Sequence, residues 1–261
     1  MSPSTATNVT DPLQARVLGI PVNVCADVLA AAVSLHDKGG GQIVTLNAEM
    51  TMAALEDPAL AEAIHGADLV IPDGAGVVWA LGRQGIRVRR TPGIELARGL
   101  LEHAAAKGWG VALVGSSPLV LERLCHRLKA EIPGLHLVMA IHGYNPPEAW
   151  PDLEKRLLAM DPDLVLVALG VPRQELWIQS LPDPLQGIWM GVGGSFDVWA
   201  GTKKRAPTWM GKIHLEWLYR LIQEPSRWRR MLALPAFMGA VLSESRRKPA
   251  RQKPEGERRG G

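Results

Sequence analysis

The sequence predicts an α/β protein, a doubly wound and mostly parallel sheet with a small helical C-terminal appendage. Three observations carry this. Six short apolar runs, at 42–47, 69–71, 111–115, 135–141, 164–169 and 188–192, alternate with helix-like segments. That alternation builds parallel sheets with right-handed crossovers. Several runs end in Gly, Asn, Asp or Ser, at the carboxyl ends of strands, where open α/β sheets place their ligands. Beyond Gly201 the texture changes to helical stripes of Trp, Leu and Ile flanked by arginines.

Four segments follow: a disordered N-terminus at 1–15, the sheet domain at 16–200, the helical appendage at 201–242 and a basic disordered tail at 243–261. Residues 17–24 read as one extended segment. Asp27 is a plausible N-cap for an Ala/Leu/Val-rich helix that ends at Gly39-Gly40-Gly41. The strand at 42–47 ends in Thr45 and Asn47, which alternation puts on one face. They either hydrogen-bond a ligand, or Thr45 is a buried β-branched residue and Asn47 caps the helix at 49–55. A second short helix spans 58–65.

The chain is organised around Leu69-Val70-Ile71-Pro72-Asp73-Gly74-Ala75-Gly76. Pro72 ends a buried strand because it cannot donate to the ladder. Asp73 then stands at the strand's carboxyl end, either capping the next helix, as Asp favours, or facing a ligand. Of the cluster Arg83, Arg87, Arg89 and Arg90, the last precedes Pro92-Gly93 at the start of a long helix. A guanidinium beside a helix N-terminus suits an anion. Arg87 and Arg89 read as surface charge.

The turn Gly115-Ser116-Ser117-Pro118 lies between the strand-like run at 111–115 and its helix, like the first βα turn of a nucleotide-binding half. It is neither G-x-G-x-x-G nor a Walker A loop. Asp161-Pro162-Asp163 has the form of a D-x-D metal motif but precedes its strand, away from the expected crevice, so it reads as a helix-to-strand turn. The Gly170 turn leads into a helix with Gln174 and Glu175 in its first turn, and Gly193-Gly194 forms another glycine turn at a strand's carboxyl end.

Composition bounds the rest. The chain has 261 residues, 47% hydrophobic and 21% charged, enough for one sizeable core. Cys25 and Cys125 lack metal-ligand spacing, so neither a zinc site nor a disulfide framework is expected. Residues 1–11 are polar, unlike a signal peptide. The apolar run at 231–242 contains Pro235 and is too short to span a bilayer. A cytoplasmic protein is expected. Of 29 Lys+Arg and 26 Asp+Glu, 15 and 5 fall at 201–261, so that segment carries +10 and the preceding body −7. A basic end on an acidic body suits an anionic partner such as phosphate, nucleic acid or a membrane surface. Aromatics beside arginines suit a helix in a membrane interface.

Several stretches, in order, resemble the WecG/TagA/CpsF glycosyltransferase family. They are Thr45-Leu46-Asn47-Ala48-Glu49, 67–76, Arg90 with Gly93-Ile94-Glu95-Leu96, 170–177, 191–197, Lys204-Arg205-Ala206-Pro207, and 215–220 with Glu224-Pro225. The resemblance runs from about Val17 to about Leu242; residues after Ser243 do not read as family-like, and Thr91-Pro92 departs from the commonest residues there. It implies a Rossmann-like enzyme. The implied reaction moves a sugar (N-acetylmannosamine-type, N-acetylglucosamine or glucose) from a UDP-sugar to a polyprenyl-diphosphate-linked acceptor, with inversion and no metal or other cofactor.

The resemblance makes Asp73 the general base, taking the acceptor hydroxyl's proton. It also implicates Thr45, Asn47, Arg90 and Gln174 in the active site, with Gln174 holding the sugar or its phosphate. Arg220, Arg227 and Arg230 match an appendage that reaches the active site and the membrane. Without a metal, arginines and backbone N–H groups at glycine turns (Gly115, Ser116, Gly193, Gly194) must stabilise the leaving diphosphate. The implied setting is the inner face of the cell membrane, in surface-polysaccharide synthesis, as a possible homo-oligomer with no nucleic acid. Two other readings are a non-catalytic nucleotide-sugar or nucleic-acid binding module, in which Trp and Arg serve stacking and phosphate contact, and a membrane scaffold built on 201–242.

Overall fold

The computed structural model describes residues 13–182, 185–204, 210, 219 and 232–247. Six parallel strands form one sheet: β3 (Gly40–Leu46), β4 (Leu69–Pro72), β5 (Gly110–Gly115), β6 (His136–Ile141), β7 (Leu164–Ala168) and β8 (Gly187–Gly191), in the order β4-β3-β8-β7-β5-β6. The six runs expected from the sequence are these strands. The central strand β7, LVLVA, is buried throughout. Both its faces are covered, so it reads as a continuous apolar run rather than an alternating one.

Period-two alternation divides the core. Ile43, Leu69, Ile71, Val111, Leu113, Leu166 and Met190 share one face with α5 (Gly93–Lys107) and α6 (Pro118–Glu131). Val44, Leu46 and Val70 point the other way, onto α2 (Ala48–Glu56), α3 (Pro58–Gly66) and α4 (Ala75–Arg83). Val114, Val165, Val167 and Trp189 continue that second face against α7 (Trp150–Ala159) and α8 (Arg173–Gln179). The connections β3→β4, β6→β7 and β7→β8 run toward the β4 edge over the second face. Those that reach β5 through α5 and β6 through α6 run toward the opposite edge over the first. One handedness explains both sets. Helix α1 (Val28–Asp37), capped by Asp27 as expected, also lies on the first face.

Two expectations are corrected. Residues 17–24 are not one extended segment: β1 (Leu13–Val17) and β2 (Ile20–Val24) pair antiparallel as a hairpin. Its two-residue turn places Leu18 at φ +51° and Gly19 at φ +84°. Positive φ at both central positions matches the twist of the flanking strands, and Gly19 adopts it without strain. β1 starts at Leu13, inside the stretch 1–15 expected to be disordered; residues 1–12 lie outside the described residues.

The second correction concerns the C-terminal end. After α9 (Ser195–Trp199), helix α10 (Ala233–Arg247) extends five residues into the stretch expected to be a disordered tail. Phe237 and Val241 enter the core beside α2 and α4, and Phe237 is wholly buried. Leu232, Met238 and Leu242 stay exposed. Among the described residues, no helix is long and apolar enough to cross a membrane.

Candidate active site

Because every strand of the sheet runs the same way, all six carboxyl ends lie on one edge. Two groups of residues collect there. The first is built on β3, β4 and the start of α5. Thr45 and Asn47 are partly exposed while Leu46 between them is buried, as alternation requires. Asn47 is the N-cap of α2, its side-chain oxygen accepting from Met50 N–H at 2.9 Å. Asp73 follows β4, and its own N–H donates to the Leu46 carbonyl at 3.0 Å, which ties the two strand ends together.

Asp73 does not cap the helix that follows it. Helix α4 has Gly74 as its N-cap and no side-chain cap. The Asp73 carboxylate instead accepts from Gly93 N–H, the first residue of α5, at 3.2 Å. The carboxylate thus faces the positive end of a 15-residue helix dipole. Arg90 closes the other side, its Nε donating to the Asp73 carbonyl oxygen at 2.6 Å. Arg90 is half-buried whereas Arg87 and Arg89 are exposed, which separates them as the sequence did.

Glycine makes this approach possible. A Cβ on Gly93 would lie 2.9 Å from Thr45 Cγ2, and one on Gly74 would lie 2.9 Å from Asn47 Cβ. Gly76, two residues further on, meets Phe237 of α10, whose ring would be 3.4 Å from an added Cβ. Thr45, Asn47, Asp73, Arg90 and Gly93 thus form one connected cluster, and α10 packs against the turn that carries it.

The second group is a cleft of about 450 Å³ over β5, β6 and β7, lined by Ser116, Ser117, Gly143, Tyr144, Ala168, Leu169, Arg173, Asp197 and Lys203. Ser116 lines it at φ +59°, and Gly115 before it packs closely on β7, where a Cβ would sit 2.4 Å from the Ala168 carbonyl. Ser117 caps α6, a 14-residue helix whose N-terminus therefore opens at the cleft. Arg173 and Lys203 bring two cations and Asp197 one carboxylate, and Tyr144 is 75% exposed. Lys203 Nζ stands 3.9 Å from Asp197 Oδ1. Such a site favours an anion with a flat polar group attached.

Gly193 and Gly194 follow β8, between the two groups. The Gly193 N–H is not turned outward; it donates to Gln174 Oε1 at 3.1 Å. Gln174 itself is 2% exposed, and its amide is engaged by Gly170, Gly193 and Glu175. Gln174, expected to hold the sugar or its phosphate, is placed here as a buried residue that fastens the crevice walls from within. Burial pushes the neighbouring Glu175 carboxyl up to about 7. Asp163, the second acid of the D-x-D, accepts from Gly110 N–H at 2.7 Å and contacts His36 at 3.0 Å, at the amino edge of the sheet. It is structural, as its place in the sequence indicated. Arg220, Arg227 and Arg230 lie outside the described residues.

Sequence reasoning missed Tyr144, Arg173, Asp197 and Lys203 as cleft residues. Their signal was position: each follows a strand's carboxyl end or lies on the first turns beyond it.

The family model described as glycosyl transferase WecG/TagA/CpsF family matches residues 15–251. The chain belongs to this family. The match extends past Ser243, where the sequence alone did not read as family-like, and takes in the whole of α10. Two relatives bear the name N-acetylglucosaminyldiphosphoundecaprenol N-acetyl-beta-D-mannosaminyltransferase. The one from Bacillus spizizenii is 36% identical over 214 residues, 81% of this chain and 82% of the relative. The one from Bacillus subtilis is 34% identical over 216 residues, 82% of this chain and 84% of the relative. This WecG/TagA/CpsF glycosyl transferase therefore has its Asp73 cluster, its cleft and its C-terminal helix within the matched span.

Proposed function

We propose that the chain transfers an N-acetylhexosaminyl group, of the N-acetylmannosamine type, from a UDP-sugar to a polyprenyl-diphosphate-linked N-acetylglucosamine. The transfer inverts the anomeric centre, needs no metal, and serves cell-envelope polysaccharide synthesis at the inner face of the membrane. The names of the two relatives support the acceptor and the sugar. The observation that carries the chemistry is the Asp73 carboxylate, held at the N-terminus of α5 on the carboxyl edge of the sheet.

An inverting transfer is one displacement. The acceptor hydroxyl oxygen bonds to the anomeric carbon as the bond from that carbon to the UDP oxygen breaks. Asp73 takes the hydroxyl proton, and UDP leaves with the electron pair. The place of Asp73 at the N-terminus of α5 holds the carboxylate in position to accept that proton. The leaving diphosphate needs positive charge and N–H donors fixed in advance. Arg173, Lys203 and the N-terminus of α6 supply these in the cleft, with Tyr144 available to stack on the base. Thr45 and Asn47 border the acceptor side.

The test is purified protein with a panel of UDP-sugars and a short-chain lipid-diphosphate-linked N-acetylglucosamine, in EDTA, followed by product mass. Mass gain from UDP-N-acetylmannosamine is expected. Transfer only after a divalent ion is restored would remove metal independence. Tight UDP binding with no transfer would point to another acceptor. Arg173→Ala should weaken UDP binding by about 10- to 100-fold, the value of one charge-assisted hydrogen bond.

A further inference from the structure

Two turns at the carboxyl ends of β7 and β8 lead to the walls of the cleft. Each turns on a left-handed glycine, Gly170 at φ +80° and Gly193 at φ +51°. Their backbone N–H groups converge on one atom: Gln174 Oε1 accepts from Gly170 at 3.2 Å and from Gly193 at 3.1 Å. A glutamine amide has nearly the same shape when turned over, so shape alone does not select its orientation. Glu175 selects it. Its Oε1 accepts from Gln174 Nε2 at 2.7 Å. With the amide reversed, an NH₂ group would confront two N–H donors and an oxygen would confront the Glu175 oxygen.

The niche is built for this pair. Gly191 of β8 lies beneath it, and a Cβ there would be 2.4 Å from Gln174 Nε2 and 3.0 Å from Glu175 Oε1. Glu175 is 2% exposed, and its second oxygen, Oε2, is buried without a hydrogen-bond partner. Burying a carboxyl with half its hydrogen-bonding capacity unused is costly, and the packing of α8 alone does not require it.

We propose that Glu175 is a positioning residue for glycosyl transfer. It fixes the Gln174 amide, which holds the turns after β7 and β8 and thereby sets Arg173 and Asp197 across the donor cleft. As a step in catalysis, this role rests on the function proposed above. Glu175 needs only an acceptor oxygen to perform it, and Oε1 remains one whether the buried acid is charged or carries its proton on Oε2.

The test compares Glu175→Met, which keeps bulk and removes the acceptor, with Glu175→Gln, which keeps both. Backbone hydrogen exchange at Gly170 and Gly193 is followed together with UDP affinity and with kcat and KM for the donor. In Glu175→Met, exchange at both glycines and the donor KM should rise about tenfold or more, the worth of a buried hydrogen bond to a carboxyl. Exchange in β5 and kcat should change much less. Glu175→Gln should recover protection and KM to within about threefold, because a neutral amide oxygen loses only part of that bond.

Unchanged protection at Gly170 and Gly193 in Glu175→Met would overturn the proposal, as would equal impairment of the two variants. Should Glu175→Met fail to fold, Glu175→Asp, which withdraws the oxygen by one methylene, is read in the same way. Exchange and UDP binding that respond as expected in a protein with no sugar transfer would retain the positioning role and remove the reaction assigned above.

Discussion

The Asp73 carboxylate receives the N–H of Gly93, 20 residues further along the chain, at 3.2 Å. This bond joins the end of β4 to the start of α5, so the candidate base is fixed by two elements rather than by its own loop. It also explains how one residue answers both sequence readings of Asp73. It is a cap, but of α5 and not of α4, and it stands at the carboxyl end of β4.

Asp73→Asn tests this directly. The asparagine oxygen can still accept from Gly93, so the fold and Tm should be kept. The proton acceptor is gone, so transfer should fall by roughly 10²- to 10⁴-fold, the usual worth of general-base catalysis. Near-normal turnover with unchanged Tm would remove Asp73 from that role.

Gly93→Ala tests the close approach. An added methyl lies 2.9 Å from Thr45 Cγ2, and overpacking of this kind costs about 1–3 kcal/mol. Tm should drop by several degrees and activity should fall. Adding Thr45→Ser removes the nearest atom and should return most of the lost Tm. A double variant no more stable than Gly93→Ala would show that the strain lies elsewhere.

Much of this was legible in the sequence because the signals were local. Six apolar runs became six strands, since each had to be apolar on two covered faces. Asp27 and Pro58 sit at helix starts, as a capping carboxylate and a fixed φ dictate. The legible part of the site was its edge: Thr45, Asn47 and Asp73 were picked out by strand ends and Arg90 by the helix start that follows it, and they prove to be neighbours. What escaped depends on contacts remote in sequence. Nothing local says that Gln174 points inward; that follows from Gly191, which leaves room for it, and from Gly193, which donates to it. The partner of Asp73 escaped for the same reason, as did the docking of α10, because Phe237 finds its pocket only once α2 and α4 are side by side.

Phe237→Ala should separate docking from mere helix formation. Phe237 is fully buried while Met238, its neighbour on α10, is 43% exposed. Truncating the phenylalanine should cost about 3–5 kcal/mol in denaturant unfolding, whereas Met238→Ala should stay within about 0.5 kcal/mol. Because Phe237 also abuts Gly76, its loss should lower transfer activity at temperatures where the protein remains folded. Equal stability losses at the two positions would contradict the packing seen here.

Glu175 gives the pH dependence a sign. Burial holds its carboxyl at about 7 in the folded protein, against an ordinary value of 4.5. Between those two values the folded chain keeps a proton that the unfolded chain has released. Stability from this group is therefore full below about pH 4.5, declines as the pH rises, and is lost above about 7. The amount is on the order of 3 kcal/mol, from about 1.4 kcal/mol per pKa unit. Glu175→Gln removes the titration and keeps the acceptor, so its advantage over the parent protein should grow by about that amount between pH 5 and pH 8. Urea unfolding of both proteins at pH 5, 6, 7 and 8 measures it, and the difference cancels every other titrating group the two share. Parallel profiles across that range would mean that the buried carboxyl keeps its ordinary value.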